Sequence, residues 1–157
     1  MKAKKISQCN YETDDISVEA VPYPRWGAVL DDGQINLDAA GEGVGFNMYL
    51  DKNIDPDRNA ILTCVFHRVD AGADTLNMNG GLTTYMTDGT LDTTSILNGV
   101  ITWNGCAADR YEKYQYTITT GLAAEKFLRG YFQLNEAAKE VKIKTISLRY
   151  FIKRSTP

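Results

Sequence analysis

Few residues in this 157-residue chain have the types and spacing to do chemistry. It has one histidine, His67, which excludes sites built on several imidazoles and leaves one ring for any catalytic triad. His67 follows Cys64 by three positions, and in a strand an odd spacing sends the two side chains to opposite faces, so no local Cys–His dyad is expected. There is no GxSxG elbow, so His67 is expected in a structural or surface role. Asp51, Asn53 and Asp55 match the opening of an EF-hand loop, but the sixth position is Pro56 instead of glycine and the twelfth is Leu62 instead of the bidentate glutamate. A solvated turn over 51–59 is the plain reading, with a looser calcium site through Asp51, Asp55 and Asp57 as the alternative. Asp14-Asp15 and Asp31-Asp32 are neighbouring acids with nothing to separate their pKa values, and they read as solvated turns. No Walker loop or GxGxxG fingerprint is present. Cys9, Cys64 and Cys106 are an odd number without metal spacing, read as free thiols in a reducing compartment. The expectation is therefore no enzyme, no cofactor and no metal.

Charge is unevenly spread. Residues 1–11 carry three lysines and no acid, residues 12–109 carry sixteen acids against four bases, and residues 110–157 carry ten bases against four acids. The basic ends either meet an acidic neighbour, such as the body of another copy, or pair within the fold, which is the plainer reading. Lys142, Lys144, Arg149 and Lys153 could follow phosphates, but a pI near 5.2 argues against nucleic acid as the main partner. No apolar run approaches the roughly 20 residues that span a bilayer, and the Lys-rich start lacks a signal-peptide h-region. Synthesis and retention in the cytoplasm are expected, without membrane contact.

The positioning elements are strands. In 113–119, Tyr114, Tyr116 and Ile118 alternate with polar residues, the period of a half-buried strand. In 127–134 both parities carry apolar groups, which predicts a central strand. In 141–153, Val141 and Ile143 share one parity while Ile146, Leu148, Tyr150 and Ile152 share the other, so a bulge near Thr145 is expected. Val44, Phe46, Met48 and Leu50 form another alternating run, and Ala60 to Asp70 reads as a strand in the middle of a sheet. Further strands are expected after Ile16, ended by Pro22 and Pro24, after the Asp31-Asp32-Gly33 turn, over Leu82 to Met86 beyond a bend at Asn79-Gly80-Gly81, and over Ile96 to Trp103. Residues 135–140 read as one helical turn or a loose loop. Eight or nine strands at this spacing predict an all-β antiparallel sandwich of jelly-roll type over residues 16–157, preceded by an arm over 1–15.

The order of strand, Asp-rich loop, long apolar strand and Thr/Asn-rich hairpin, closing with YTITTGLAAEKFLRGYFQLN and VKIKTISLRYFIKR, resembles jelly-roll structural proteins of tailed bacteriophages. The matching positions are Thr117 to Thr119, Leu122, Leu128-Arg129 and Ile146 to Tyr150. Gly130-Tyr131 stands where that family often has an Arg-Asp pair. The resemblance implies a non-enzymatic virion component, first a capsid decoration or head-fibre protein, that trimerises with itself and contacts major capsid or tail proteins. It implies a docking role for the arm through Lys2, Lys4 and Lys5. Tyr114, Tyr116, Tyr131 and Tyr150 belong to an aromatic set too large for one small core, and are candidates for a subunit interface. The alternative is a tail-fibre or carbohydrate-binding module for host recognition, in which Trp26, Tyr85 and Trp103 stack on a glycan. A buried Trp26, packed under the first turn, is the plainer expectation for that residue.

Overall fold

Period-two patterning produces two antiparallel sheets packed face to face. The computed structural model describes residues 12–70, 75–86, 91–103, 109–119, 122 and 126–154. Among them, every regular element is a strand. In chain order these are β1 (Glu12–Ala20), β2 (Tyr23–Arg25), β3 (Val29–Asp31), β4 (Gln34–Leu37), β5 (Gly43–Tyr49), β6 (Ala60–Arg68), β7 (Leu76–Met86), β8 (Leu91–Trp103), β9 (Arg110–Ile118), β10 (Lys126–Leu134) and β11 (Val141–Arg154). One sheet runs β3-β4-β11-β6-β9, with β1 also pairing β11; the other runs β2-β5-β10-β7-β8. The chain is thus an all-β sandwich of jelly-roll type, with more strands than the eight or nine expected.

β11 organises the six-stranded sheet. Its first residues pair with β4 and its remainder with β1, while β6 lines its other side. The predicted bulge is present: register against β6 shifts between Ile143 and Thr145. One extra residue lets Val141 and Ile143 share the buried face with Ile146, Leu148, Tyr150 and Ile152. β6 lies between β11 and β9, and β10 between β5 and β7, both central as their two-sided apolar patterns required. The core between the sheets is aromatic at its centre. Phe66 and Trp103 stand 4.5 Å apart, Trp103 stacks on Tyr114 at 4.9 Å, and Phe132 meets Trp103 edge-on at 5.5 Å.

Two expectations, the bend at 79–81 and the extent of the arm, need correction. Asn79-Gly80-Gly81 is no bend, since β7 continues through it, paired residue by residue with β10. The strand after Ile16 does end before the prolines, at Ala20, and the short β2 then carries Pro24 at the sheet edge, where a missing N–H is tolerated. Residues 12–15 of the expected arm belong to β1, paired with Phe151 to Arg154. Residues 135–140 form a loop, one of the two forms expected, in which Ala138 takes a left-handed φ of 60°. Lys2, Lys4, Lys5, Cys9 and Cys106 lie outside the described residues.

Charge pairs form within the fold. Lys142 donates to Asp31 at 2.7 Å, Arg149 stands 3.7 Å from Asp15, and Lys153 lies 3.1 Å from both Asp55 and Asp57. Three bases of the C-terminal strand thereby meet acids of the chain's earlier part. Among the described residues, no helix is long and apolar enough to cross a membrane.

Candidate functional site

On the outer face of the five-stranded sheet, three glycines stand where side chains would otherwise rise. The ring of Trp26 lies over Gly43, the ring of Tyr23 over Gly45, and the ring of Tyr131 over Gly81. Trp26 reaches this position because its backbone is left-handed, φ 54°, followed by Gly27 at φ 97°. That tight turn folds the indole back onto β5. Trp26 and Tyr131 meet edge to face at 5.3 Å, joining the edge strand β2 to the central strand β10.

Register sets the neighbouring rows. On β10, Arg129 stands between Asn47 of β5 and Thr83 of β7, and Phe127 stands between Tyr49 and Tyr85. The rings of Tyr49 and Phe127 lie 3.7 Å apart between centroids. The Arg25 guanidinium lies 4.2 Å over the Trp26 ring and the Arg129 guanidinium 5.9 Å from the Tyr85 ring.

Two hollows open between these side chains. One, of about 290 Å³, is lined by Arg25, Thr83, Tyr85, Arg129 and Tyr131, with Gly81 and Gly130 in its wall. The second, of about 240 Å³, is lined by Asn47, Tyr85, Met86, Phe127 and Arg129. Tyr85 and Arg129 belong to both, so the hollows form one continuous track across β10 and β7. At one end, polar side chains bond among themselves. Gln133 donates to the Gly41 carbonyl at 2.7 Å, Asn79 to Gln133 at 3.4 Å and Thr102 to Asn77 at 2.9 Å. The track thus combines flat aromatic faces with planar hydrogen-bonding groups on the surface of one sheet.

Other residues singled out from the sequence lie elsewhere. Trp103 is 2% exposed, a core ring that no sugar can reach, which corrects its assignment as a stacking residue. It shares the inward parity of Ile101 on β8, and this is where packing overrides the attraction of an aromatic in a polar stretch. Trp26 is corrected in the opposite sense, at 45% exposure. Tyr85 lines the track as expected. Of the four tyrosines proposed for a subunit interface, Tyr150 is buried and its hydroxyl is pushed to higher pKa by that burial. Tyr114 packs on Trp103, and Tyr116 donates its hydroxyl to the Ile96 carbonyl at 3.4 Å. Tyr150 is enclosed in the core, while Tyr114 and Tyr116 are half-buried against it from the edge strand β9. Tyr131 alone of the four stands on an outer face. Arg25 and Arg129, absent from the sequence-derived candidates, are half-buried and exposed on the track.

Acid–base and metal chemistry find little here. Cys64 faces the core, its thiol pushed up by burial, while His67 faces outward beside Tyr111, with Nε2 3.4 Å from Asp109. Among the described residues, no group of three His, Cys, Asp or Glu converges as a metal-binding set. In the 51–59 loop, Asp51 accepts from the Asn53 N–H and Asp55 from the Asp57 N–H. The Lys153 ammonium bridges Asp55 and Asp57, and these two bonds raise its pKa.

No protein-family model and no curated protein sequence matches the chain. Among solved structures, it is similar to a xylan-binding module, CBM15, with a TM-score of 0.56 at 12% identity over 87% of this chain and 97% of that one. It is also similar to an isomalto-dextranase of Arthrobacter globiformis T6 complexed with panose, with a TM-score of 0.52 at 16% identity over 85% of this chain but only 23% of the other. A third similar structure is the CBM22-2 xylan-binding domain of Paenibacillus barcinonensis Xyn10C, with a TM-score of 0.50 at 13% identity over 82% of this chain and 91% of that one. At such identities the likeness is one of fold.

Proposed function

We propose that this chain is a non-catalytic glycan-recognition module, and that its ligand lies along the outer face of the five-stranded sheet. The observation that carries the reading is the track shared by Tyr85 and Arg129. Aromatic faces there can take the C–H face of a pyranose, while Asn47, Thr83 and the guanidiniums supply hydrogen bonds to its hydroxyls. The same sandwich occurs in structures described as xylan-binding, which makes xylan a first ligand to try. The test is affinity electrophoresis against a panel of soluble polysaccharides, followed by calorimetry, on the wild type and on Tyr85→Ala. Retardation by at least one polysaccharide, reduced about tenfold or more in affinity by Tyr85→Ala, is the expected outcome. Retardation by none, or binding indifferent to Tyr85, would overturn the reading.

A second reading keeps the virion role that the strand pattern suggested. It is favoured by the β3 hairpin, which leaves Val29 and Leu30 exposed at 54% and 67% and so offers an apolar edge to another subunit. Light scattering decides it: a trimer supports assembly, and a monomer removes that support. In a tail fibre the glycan face would serve host recognition.

A further inference from the structure

We infer that the glycan recognised by this face is acidic, its carboxylate held between Arg25 and Arg129. The inference rests on the glycan reading above and names the ligand's charge. Both guanidinium side chains line the same hollow. Arg25 reaches it by crossing above Gly45, where its Cδ lies 2.7 Å from the place a Cβ would occupy. A glycine is what leaves that path open.

Neither arginine has an ion-pair partner among the described residues, whereas Arg68, Lys142, Arg149 and Lys153 are each paired with a carboxylate. Arg58 and Lys144 likewise stand over aromatic rings, but Arg25 and Arg129 are two cations that share one hollow without an acid in its described lining. Among the described residues, no acid side chain lines the hollow. The outward positions of β5, β7 and β10 beside the hollow are Asn47, Thr83, Tyr85, Phe127 and Tyr131. Two glutamates border the face and both are engaged: Glu42, next to Gly43, the register partner of Arg25, accepts from the Asp38 and Ala39 N–H groups through Oε2, and Glu136 accepts from Asn77. Each guanidinium is oriented by an aromatic ring. A guanidinium near a ring keeps in-plane N–H donors, which match a carboxylate in bidentate fashion. Tyr85 and Tyr131 then flank the sugar that bears the acid group.

The experiment is calorimetry with polygalacturonate, the same polymer after reduction of its carboxyl groups, and dextran sulfate, each at low and high salt. The proteins are the wild type, Arg25→Gln, Arg129→Gln and Arg129→Lys, each first shown to melt like the wild type. The expected result is preference for polygalacturonate over its reduced form, weakened by salt. That preference should fall about tenfold or more in either glutamine variant and less in Arg129→Lys, which keeps the charge but not the fork. Equal affinity for the two galactose-series polymers overturns the acidic assignment and leaves the glycan face standing. Stronger binding of dextran sulfate overturns the choice of carboxylate. Failure of all three polymers, with the neutral panel binding as usual, also refutes the inference, while failure of every polysaccharide refutes the glycan reading itself.

Discussion

The ring of Tyr131 occupies the space above Gly81: a Cβ built on that glycine would come closer than 3.0 Å to three of its ring atoms. The two residues are direct partners across β10 and β7. Gly81 is extended, without the positive φ that would itself demand glycine, so its role is to give the ring a floor. Gly81→Ala should therefore displace Tyr131 and cost about 1–3 kcal/mol of stability, the usual cost of overpacking. Urea unfolding of Gly81→Ala in the wild-type and Tyr131→Ala backgrounds checks this. The glycine substitution should be milder when the ring is already gone, and an equal cost in both would refute the pairing.

Asp70 predicts the response to acid. Its carboxylate takes both Arg68 Nε, at 3.1 Å, and a second guanidinium nitrogen, at 2.8 Å, and Arg68 is fully buried. The Arg68 bond, ahead of the opposing effect of burial, holds the Asp70 pKa below its ordinary value. A lowered folded-state pKa contributes stability above the unfolded value, and this is lost as pH falls through the folded one. Asp70→Asn should cost about 2 kcal/mol at pH 7, less than for a wholly buried pair because the carboxylate is partly solvated. Melting temperatures of the two proteins should converge below about pH 4. A gap that stays constant with pH would show that charge is not what Asp70 supplies.

Lys153 sits where a cation would have to enter the 51–59 loop. Calcium or EDTA should leave the wild-type melting temperature unchanged, and calcium should raise that of Lys153→Met, in which Asp55 and Asp57 lose their shared ammonium. Because the Lys153 pKa is raised, its stabilising contribution is present at neutral pH and is lost as alkali takes the pH through the folded value. Stabilisation of the wild type by calcium would mean that the ion displaces the lysine.

Sandwich architecture was legible because one buried face writes a period of two into each strand. Val44, Phe46 and Met48 are buried as their alternation requires, and the change of parity between Ile143 and Ile146 located the bulge. What escaped local reading depends on neighbours across the sheet. Gly80 and Gly81 look like a bend until Leu97 and Ile101 are found over one and Tyr131 over the other. The candidate site divides in the same way. Tyr85 was recognisable, whereas Trp103, a stacking candidate only under the alternative reading, is placed in the core by the register that pairs it with Leu76. Arg25 and Arg129 are 104 positions apart in the numbering, and nothing in either local segment shows that β5 brings them to one hollow.

The central place of β11 also sets an order of events during synthesis. Every strand carrying the aromatic track has been made by Leu134, but the opposite sheet cannot assemble until its middle strand, the last of the eleven, has emerged. β1 then has to find a partner from the other extreme of the fold. Closure over so long a loop is entropically slow, which places folding in the millisecond-to-second range typical of sandwiches. Until then the inner face of the finished strands, with Phe46 and Phe132, has no cover. A nascent chain stalled before β11 would therefore be a natural client for chaperones that hold exposed apolar surface.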